Sequence, residues 1–402
     1  MLNIDGSIDE RNVNYGPPVW RLGFRPFFLG AGLFAIIAMA VWMASYIYGI
    51  EFAFAGLQPV QWHAHEMLFG YTMAVVAGFL LTAIKNWTGI SVLRGLPLAA
   101  LFSLWLIARL LPLSGLDVSL SLVAVFDVGF IVLLTLACMR PVLMVKQYKQ
   151  VGIISKLFLL ALSDLVFYLG VGGVLAEGVQ WGLYSALYMI IALVLVMMRR
   201  VVPMFIKNGI EGEYEAVNRT WLDISSLALL LVLWLLDVFT GYQQAVAITA
   251  LVLALLHLIR FAGWYTNRIW SKPLVWVLMA AYGFIILGFA LKAASYYLGT
   301  TVFLSIHAFT VGGIGVLTVG MMSRVSLGHT GRNVFEPPGI VFWIFASVFL
   351  GAIVRVLFPL FAMPQYVYWI AISQVLWMLG FAIFVYVYAP MLLAARVDGR
   401  DG

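Results

Sequence analysis

The sequence predicts an all-α polytopic membrane protein of about twelve transmembrane helices with both termini cytoplasmic. Three observations carry that prediction. The 402 residues are 64% hydrophobic and only 10% charged, with a mean hydropathy of +1.04, whereas soluble domains carry roughly 45–50% apolar and about 25% charged residues. Apolar runs near the ~20 residues needed to cross a bilayer recur along the whole chain. Lys and Arg gather on alternate connections between those runs.

The first run, 27–49, follows a polar segment, 1–25, expected at the cytoplasmic interface. This segment holds Asp5, Asp9, Glu10, Arg11 and Arg21, so no cleaved signal peptide is expected. The second run, 65–84, opens on the polar cluster Trp62-His63-Ala64-His65-Glu66. Runs at 96–113 and 117–139 are punctuated by Pro97, Pro112 and Pro141, and those at 154–176 and 179–198 lead to Pro203. Runs at 221–240 and 244–263 come next. Pro273 starts 273–297, and 301–322 follows. Pro337-Pro338 precede 338–358, and Pro359 and Pro364 separate it from 366–393. No long soluble segment interrupts the series and no internal repeat is evident, so residues 1–402 read as a single transmembrane domain.

Of the 23 Lys and Arg residues, all but Arg109, Lys292 and Arg355 fall on the side of the N-terminus, and those three lie inside runs. The positive-inside rule makes that side cytoplasmic. The same rule accounts for the net charge of +6 without nucleic acid as a partner. The single cysteine, Cys138, excludes an intramolecular disulfide and Cys-rich metal sites. Beside Met139 it suits soft Cu(I) or simple packing.

Candidate chemistry centres on the five histidines. His63 and His65 lie at the outer end of the second run, where polar residues are costly and usually functional. Imidazole is the commonest metal ligand. If both are helical they point about 200° apart, so they share one metal only if His63 precedes the first turn. Otherwise each serves a different site, or one caps the helix beside Trp62. Glu66, in the first turn, suits the helix dipole. His307 enters the tenth run from the same side, above Gly312, Gly313, Gly315 and Gly320. Those glycines suit either close helix packing or a smooth wall for a flat macrocycle whose iron takes an axial histidine. Arg109, Lys292 and Arg355 lie in the outer third of their runs, where they snorkel or hold haem propionates. Asp127 and Asp164 are expected to carry protons, to pair with those cations or to serve as helix-packing carboxylates. His257, one turn from Arg260, is a ligand or an ordinary inner-end histidine, and His329 lies in a cytoplasmic loop.

Three segments resemble the NnrS family, haem- and copper-containing bacterial membrane proteins of the nitric-oxide response. The first is Gly23-Phe24-Arg25-Pro26-Phe27-Phe28-Leu29. The second runs from Trp62 through Gly78-Phe79-Leu80-Leu81-Thr82-Ala83 to Asn86-Trp87-Thr88-Gly89. The third runs from His307 to Ser323-Arg324-Val325-Ser326-Leu327-Gly328-His329-Thr330-Gly331-Arg332. Lys85 departs from the pattern, where a proline precedes Asn86. The resemblance implies a multi-pass protein of the bacterial inner membrane, linked to denitrification or nitrosative stress, with haem and copper bound through histidines. Nitric oxide or a related small molecule would be the ligand, with an electron donor of unspecified identity.

Combining residues and resemblance, b-type haem is expected on His65 and His307, with Arg109, Lys292, Arg355, Gly312 and Gly313 around it, and copper on His63 with Glu66 or an exchanged histidine. The alternative partition gives His63, His65 and His307 to a three-histidine copper centre and haem to His257 and His329. Two other classes fit the same sequence: a transporter of a small solute, metal or haem, and a non-catalytic protein that shields iron and copper pools.

Overall fold

A computed structural model describes residues 16–400; the predicted interfacial segment up to residue 15 lies outside the described residues. The described chain is helical, with twelve helices long and apolar enough to cross a membrane. In order these are α1 Phe24–Tyr48, α2 Pro59–Thr88, α3 Gly95–Leu113, α4 Leu120–Met144, α5 Tyr148–Val171 and α6 Gly178–Gly209. The second half comprises α7 Thr220–Phe239, α8 Gln243–Trp264, α9 Pro273–Tyr297, α10 Val302–His329, α11 Val341–Phe361 and α12 Met363–Leu393. The protein is thus an all-α polytopic membrane protein.

Local chemistry explains the helix ends. Helix α2 starts about two turns before the apolar run that predicted it. Gln58 and Gln61 form a reciprocal capping box, and Pro59 occupies the first helical position, where its missing N–H costs nothing. Hydropathy does not see that polar first turn. Gly49 and Gly89 end α1 and α2 in the left-handed conformation, which glycine adopts without Cβ strain.

Helices α2, α9 and α10 are the most enclosed spans, while α3 and α7 lie at the periphery. Small residues set the closest crossings. A Cβ on Gly170 of α5 would lie 2.2 Å from the backbone nitrogen of Val179, and one on Gly182 of α6 would lie 2.6 Å from both Phe167 N and Ser163 O. The backbones of α5 and α6 therefore touch, the arrangement small residues permit within a membrane. At the end carrying the basic connections, Arg25 Nη1 donates to the carbonyls of Leu392 (2.8 Å) and Ala394 (2.7 Å). One guanidinium thus satisfies exposed carbonyls at the end of α12 and ties the last span to the first.

Two spans contain a wide turn with i→i+5 hydrogen bonding, Glu66–Thr72 in α2 and Ala308–Gly315 in α10. The bonds Met73 N–H to Leu68 O and Val316 N–H to Val311 O show the longer reach. Each begins directly after a histidine, His65 or His307. Such turns are frequent at functional sites. The indole of Trp105 donates to Gly70 O at 2.9 Å, packing α3 against the first of them.

Candidate functional site

Because His63 and His65 are both helical, they point away from each other, and the structure gives them different neighbours. His63 faces α1, stacked on Trp42 with ring centroids 4.5 Å apart and planes within 4°. It is also within electrostatic range of His307 and Arg355. Its Nδ1 is buried and has no hydrogen-bond partner.

The tautomer of His307 follows from its contacts. Nδ1 lies 2.7 Å from the Phe303 carbonyl, which only accepts, so Nδ1 carries the proton. The lone pair is then on Nε2, which accepts from Arg355 Nη2 at 3.3 Å. Arg355 is buried, lies over the Tyr366 ring at 5.0 Å, and keeps Nη1 without an acceptor. The His307 imidazole and a guanidinium with a spare donor therefore meet where α10 and α11 pack, with His63 of α2 in electrostatic range of both, at the end opposite the basic connections.

His65 turns toward α4 and α5. Its Nε2 is 2.9 Å from Asp164 Oδ1 and 3.5 Å from Asp127 Oδ2, and its Nδ1 is 3.3 Å from Glu66 Oε1. Phe167 stacks on the ring at 4.6 Å. Arg109 Nη1 pairs with Glu66 Oε2 at 2.9 Å and Nη2 with Asp127. Tyr168 donates to Asp127 Oδ2 at 3.0 Å. All seven side chains are buried, with His65, Asp127 and Asp164 at 0% exposure.

Charge counting constrains this network. Glu66, Asp127 and Asp164 supply three carboxylates, Arg109 one guanidinium, and His65 at most one further cation. A neutral imidazole donates from only one ring nitrogen, yet both nitrogens of His65 face carboxylates. Neutrality in a buried site, where uncompensated charge is strongly unfavourable, therefore takes two protons: one on His65 and one among the carboxyl groups. Asp127 Oδ1 and Asp164 Oδ2 are buried without partners and offer places for the second. Atoms of His65, Glu66 and Asp127 also lie within 4.8 Å of one another, a spacing that could hold a metal ion. Arg109 already occupies the cationic position beside two of those carboxylates.

The remaining predicted residues are dispersed. Lys292 pairs with Asp237 Oδ1 at 2.7 Å, and Tyr188 donates to Asp237 Oδ2 at 2.8 Å, joining α6, α7 and α9. Gly312 and Gly313 face α9, where added Cβ atoms would come within 2.3 Å of Phe284 and 2.7 Å of Ile285. His257 is fully buried in α8, with Nδ1 2.7 Å from Tyr282 Oη, its ring stacked on Phe289, and Nε2 unpartnered. His329 ends α10 at the basic end, packed against Phe24, and its carbonyl accepts from Arg396 Nη1 at 3.1 Å. Cys138 is buried.

The structure thus brings His307 to Arg355, with His63 in electrostatic range of both, and His65 to Glu66 and its partner Arg109. The pairing of Arg109 with Asp127 follows the expectation for buried carboxylates. Sequence reasoning missed Asp237 as the partner of Lys292, although a carboxylate inside an apolar run is the same signal that singled out Asp127. It also missed Tyr168, which carries no charge to mark it.

Donor chemistry tests the fit of metals. The His63 and His307 imidazoles, one with an orphaned buried nitrogen and one with its tautomer fixed by a backbone carbonyl, suit copper once Arg355 Nη2 gives up His307 Nε2. The nitrogens of His65 are both engaged by carboxylates, so an iron bond to this residue requires Asp164 or Glu66 to give way.

No curated protein matches the chain. A family model described as NnrS protein matches residues 18–396, nearly its whole length. With twelve spans and two histidine-centred polar groups among them, the chain belongs to the NnrS family.

Proposed function

We propose that this protein acts in the nitric-oxide response of the bacterial inner membrane, binding copper and haem and presenting a metal site to nitric oxide at the outer ends of α2 and α10. The observation that carries the reading is the buried, orphaned Nδ1 of His63 in electrostatic range of His307, 244 residues away by numbering, whose tautomer the Phe303 carbonyl fixes. His63 and His307 would hold copper, which supplies an open coordination position for a small diatomic ligand and one-electron redox chemistry. Phe303 fixes the His307 tautomer. Arg355 would bind an anionic partner of the site, such as a haem propionate or nitrite, through the Nη1 donor that has no acceptor. Trp42 covers one face of His63 and restricts water. The His65 network lies on the other side of α2 and would hold protons close to the metal site.

Metal analysis and the optical spectrum of the purified protein test this reading. Copper is expected in the wild type and lost from both His63→Ala and His307→Ala, while His257→Ala keeps it. A Soret band is expected in protein made with haem available. Protein with neither copper nor a Soret band would sink the reading. Steady consumption of nitric oxide by the reduced protein, beyond one equivalent per site, would mark catalysis; stoichiometric binding would mark sensing or buffering.

A second reading is favoured by the charge count around His65: two protons, one on His65 and one among three buried carboxyl groups, suit proton-coupled transport of a small solute or metal. Absence of both metals, with pH-dependent solute uptake lost in Asp164→Asn, would select it.

A further inference from the structure

Away from both histidine groups, the basic-end halves of α3 and α4 and the 90–93 connection line a cavity of about 480 Å³. Its walls are apolar, formed chiefly by Leu101 and Leu104 of α3 and Leu133, Leu136 and Ala137 of α4. Leu133 and Leu136 are exposed, so the cavity opens sideways, toward lipid. Its mouth carries Arg140, which is exposed and has no ion pair or hydrogen-bond partner among the described residues.

The charge around that mouth is one-sided. Segments 85–94 and 140–156, which border it, contain Lys85, Arg94, Arg140, Lys146, Lys149 and Lys156 and no Asp or Glu. Helix α3 begins there with neither a side-chain cap nor an acidic residue in its first turn, which leaves the positive end of its dipole uncompensated by its own sequence. An apolar slot at acyl depth beneath a cationic rim at headgroup depth selects an amphiphile with a negative head. Basic pockets between transmembrane helices on the cytoplasmic side bind anionic phospholipids in this way.

We propose that the α3–α4 groove is a binding site for one anionic phospholipid, with an acyl chain along Leu104, Leu133 and Leu136 and the phosphate on Arg140. The site is independent of the metal reading, and neither depends on the other's outcome.

The test is thermal unfolding of the full-length protein in neutral detergent, titrated with phosphatidylglycerol or with phosphatidylcholine of the same chains. Phosphatidylglycerol is expected to raise the midpoint saturably and phosphatidylcholine to raise it far less. Arg140→Gln, a change at an exposed position, is expected to weaken the phosphatidylglycerol effect about fivefold, the contribution of one basic residue near an anionic headgroup. Ala137→Trp, which fills the slot, is expected to remove one retained lipid in native mass spectrometry, where the charge-state distribution also reports folding. Equal response to both lipids, an unchanged Arg140→Gln titration, or the same shift from inorganic phosphate alone would each overturn the proposal.

Discussion

Arg109→Met is expected to destabilise the protein by about 3–5 kcal/mol, the cost of removing one partner from a buried ion pair. The effect arises because Arg109 is the permanent cation among three buried carboxyl groups. It reaches Glu66 with one nitrogen and Asp127 with the other. Removing it leaves His65 as the only cation facing Glu66, Asp127 and Asp164. Arg109→Lys should recover part of the loss, since an ammonium keeps the charge but lacks the planar fork that spans two carboxylates. Arg109→Met combined with Asp127→Asn should be more stable than Arg109→Met alone, because one uncompensated charge goes with its partner. Detergent-solubilised protein followed by thermal unfolding measures all four. A midpoint for Arg109→Met within about a degree of wild type would show that the network is not ionised as described.

Gly182→Leu is the second large effect, expected at about 3 kcal/mol, the upper part of the range for overpacking. Most overpacked sites relax by rotating a side chain. Here the obstacles are the Phe167 nitrogen and the Ser163 carbonyl oxygen, both 2.6 Å from the new Cβ position, so helix α5 must move as a body. Asp164 and Phe167, which contact His65 from one edge and one face, move with it. The substitution should therefore lower the unfolding midpoint and also change the carboxyl bands of the infrared spectrum. Gly182→Ala should do the same to a smaller degree. A stable Gly182→Leu protein with unaltered carboxyl bands would mean that α5 and α6 are not in backbone contact.

The twelve spans were legible because a membrane helix is specified by average hydropathy over ~20 residues, and averages survive ignorance of neighbours. The separation of His63 from His65 was legible too, since the helical rotation follows from their spacing alone once both are helical. Which neighbour each met was not. Asp164 lies 99 residues beyond His65 and Arg355 lies 48 beyond His307. Such distances are closed by packing of helix faces, and the faces are nearly uniform in apolar character. The glycines of α10 show the same limit. Gly312 and Gly313 mark a close approach, but only the packed structure identifies the approaching surface as Phe284 and Ile285. The wide turns after His65 and His307 had no compositional mark at all.

Those two turns have a developmental consequence for the sequence itself. Each inserts, in effect, one residue into an otherwise regular helix, so everything before the turn is rotated by about 100° relative to everything after it. In α2 the histidine end is thereby uncoupled from the tightly packed stretch at Met73–Thr88, and in α10 His307 is uncoupled from Val316–His329. Mutation can then tune the polar tip of either helix without disturbing the register of its buried shaft. A single-residue deletion inside Glu66–Thr72 would cancel the offset and swing His63 and His65 together onto the wrong walls, while leaving every remaining side chain chemically intact.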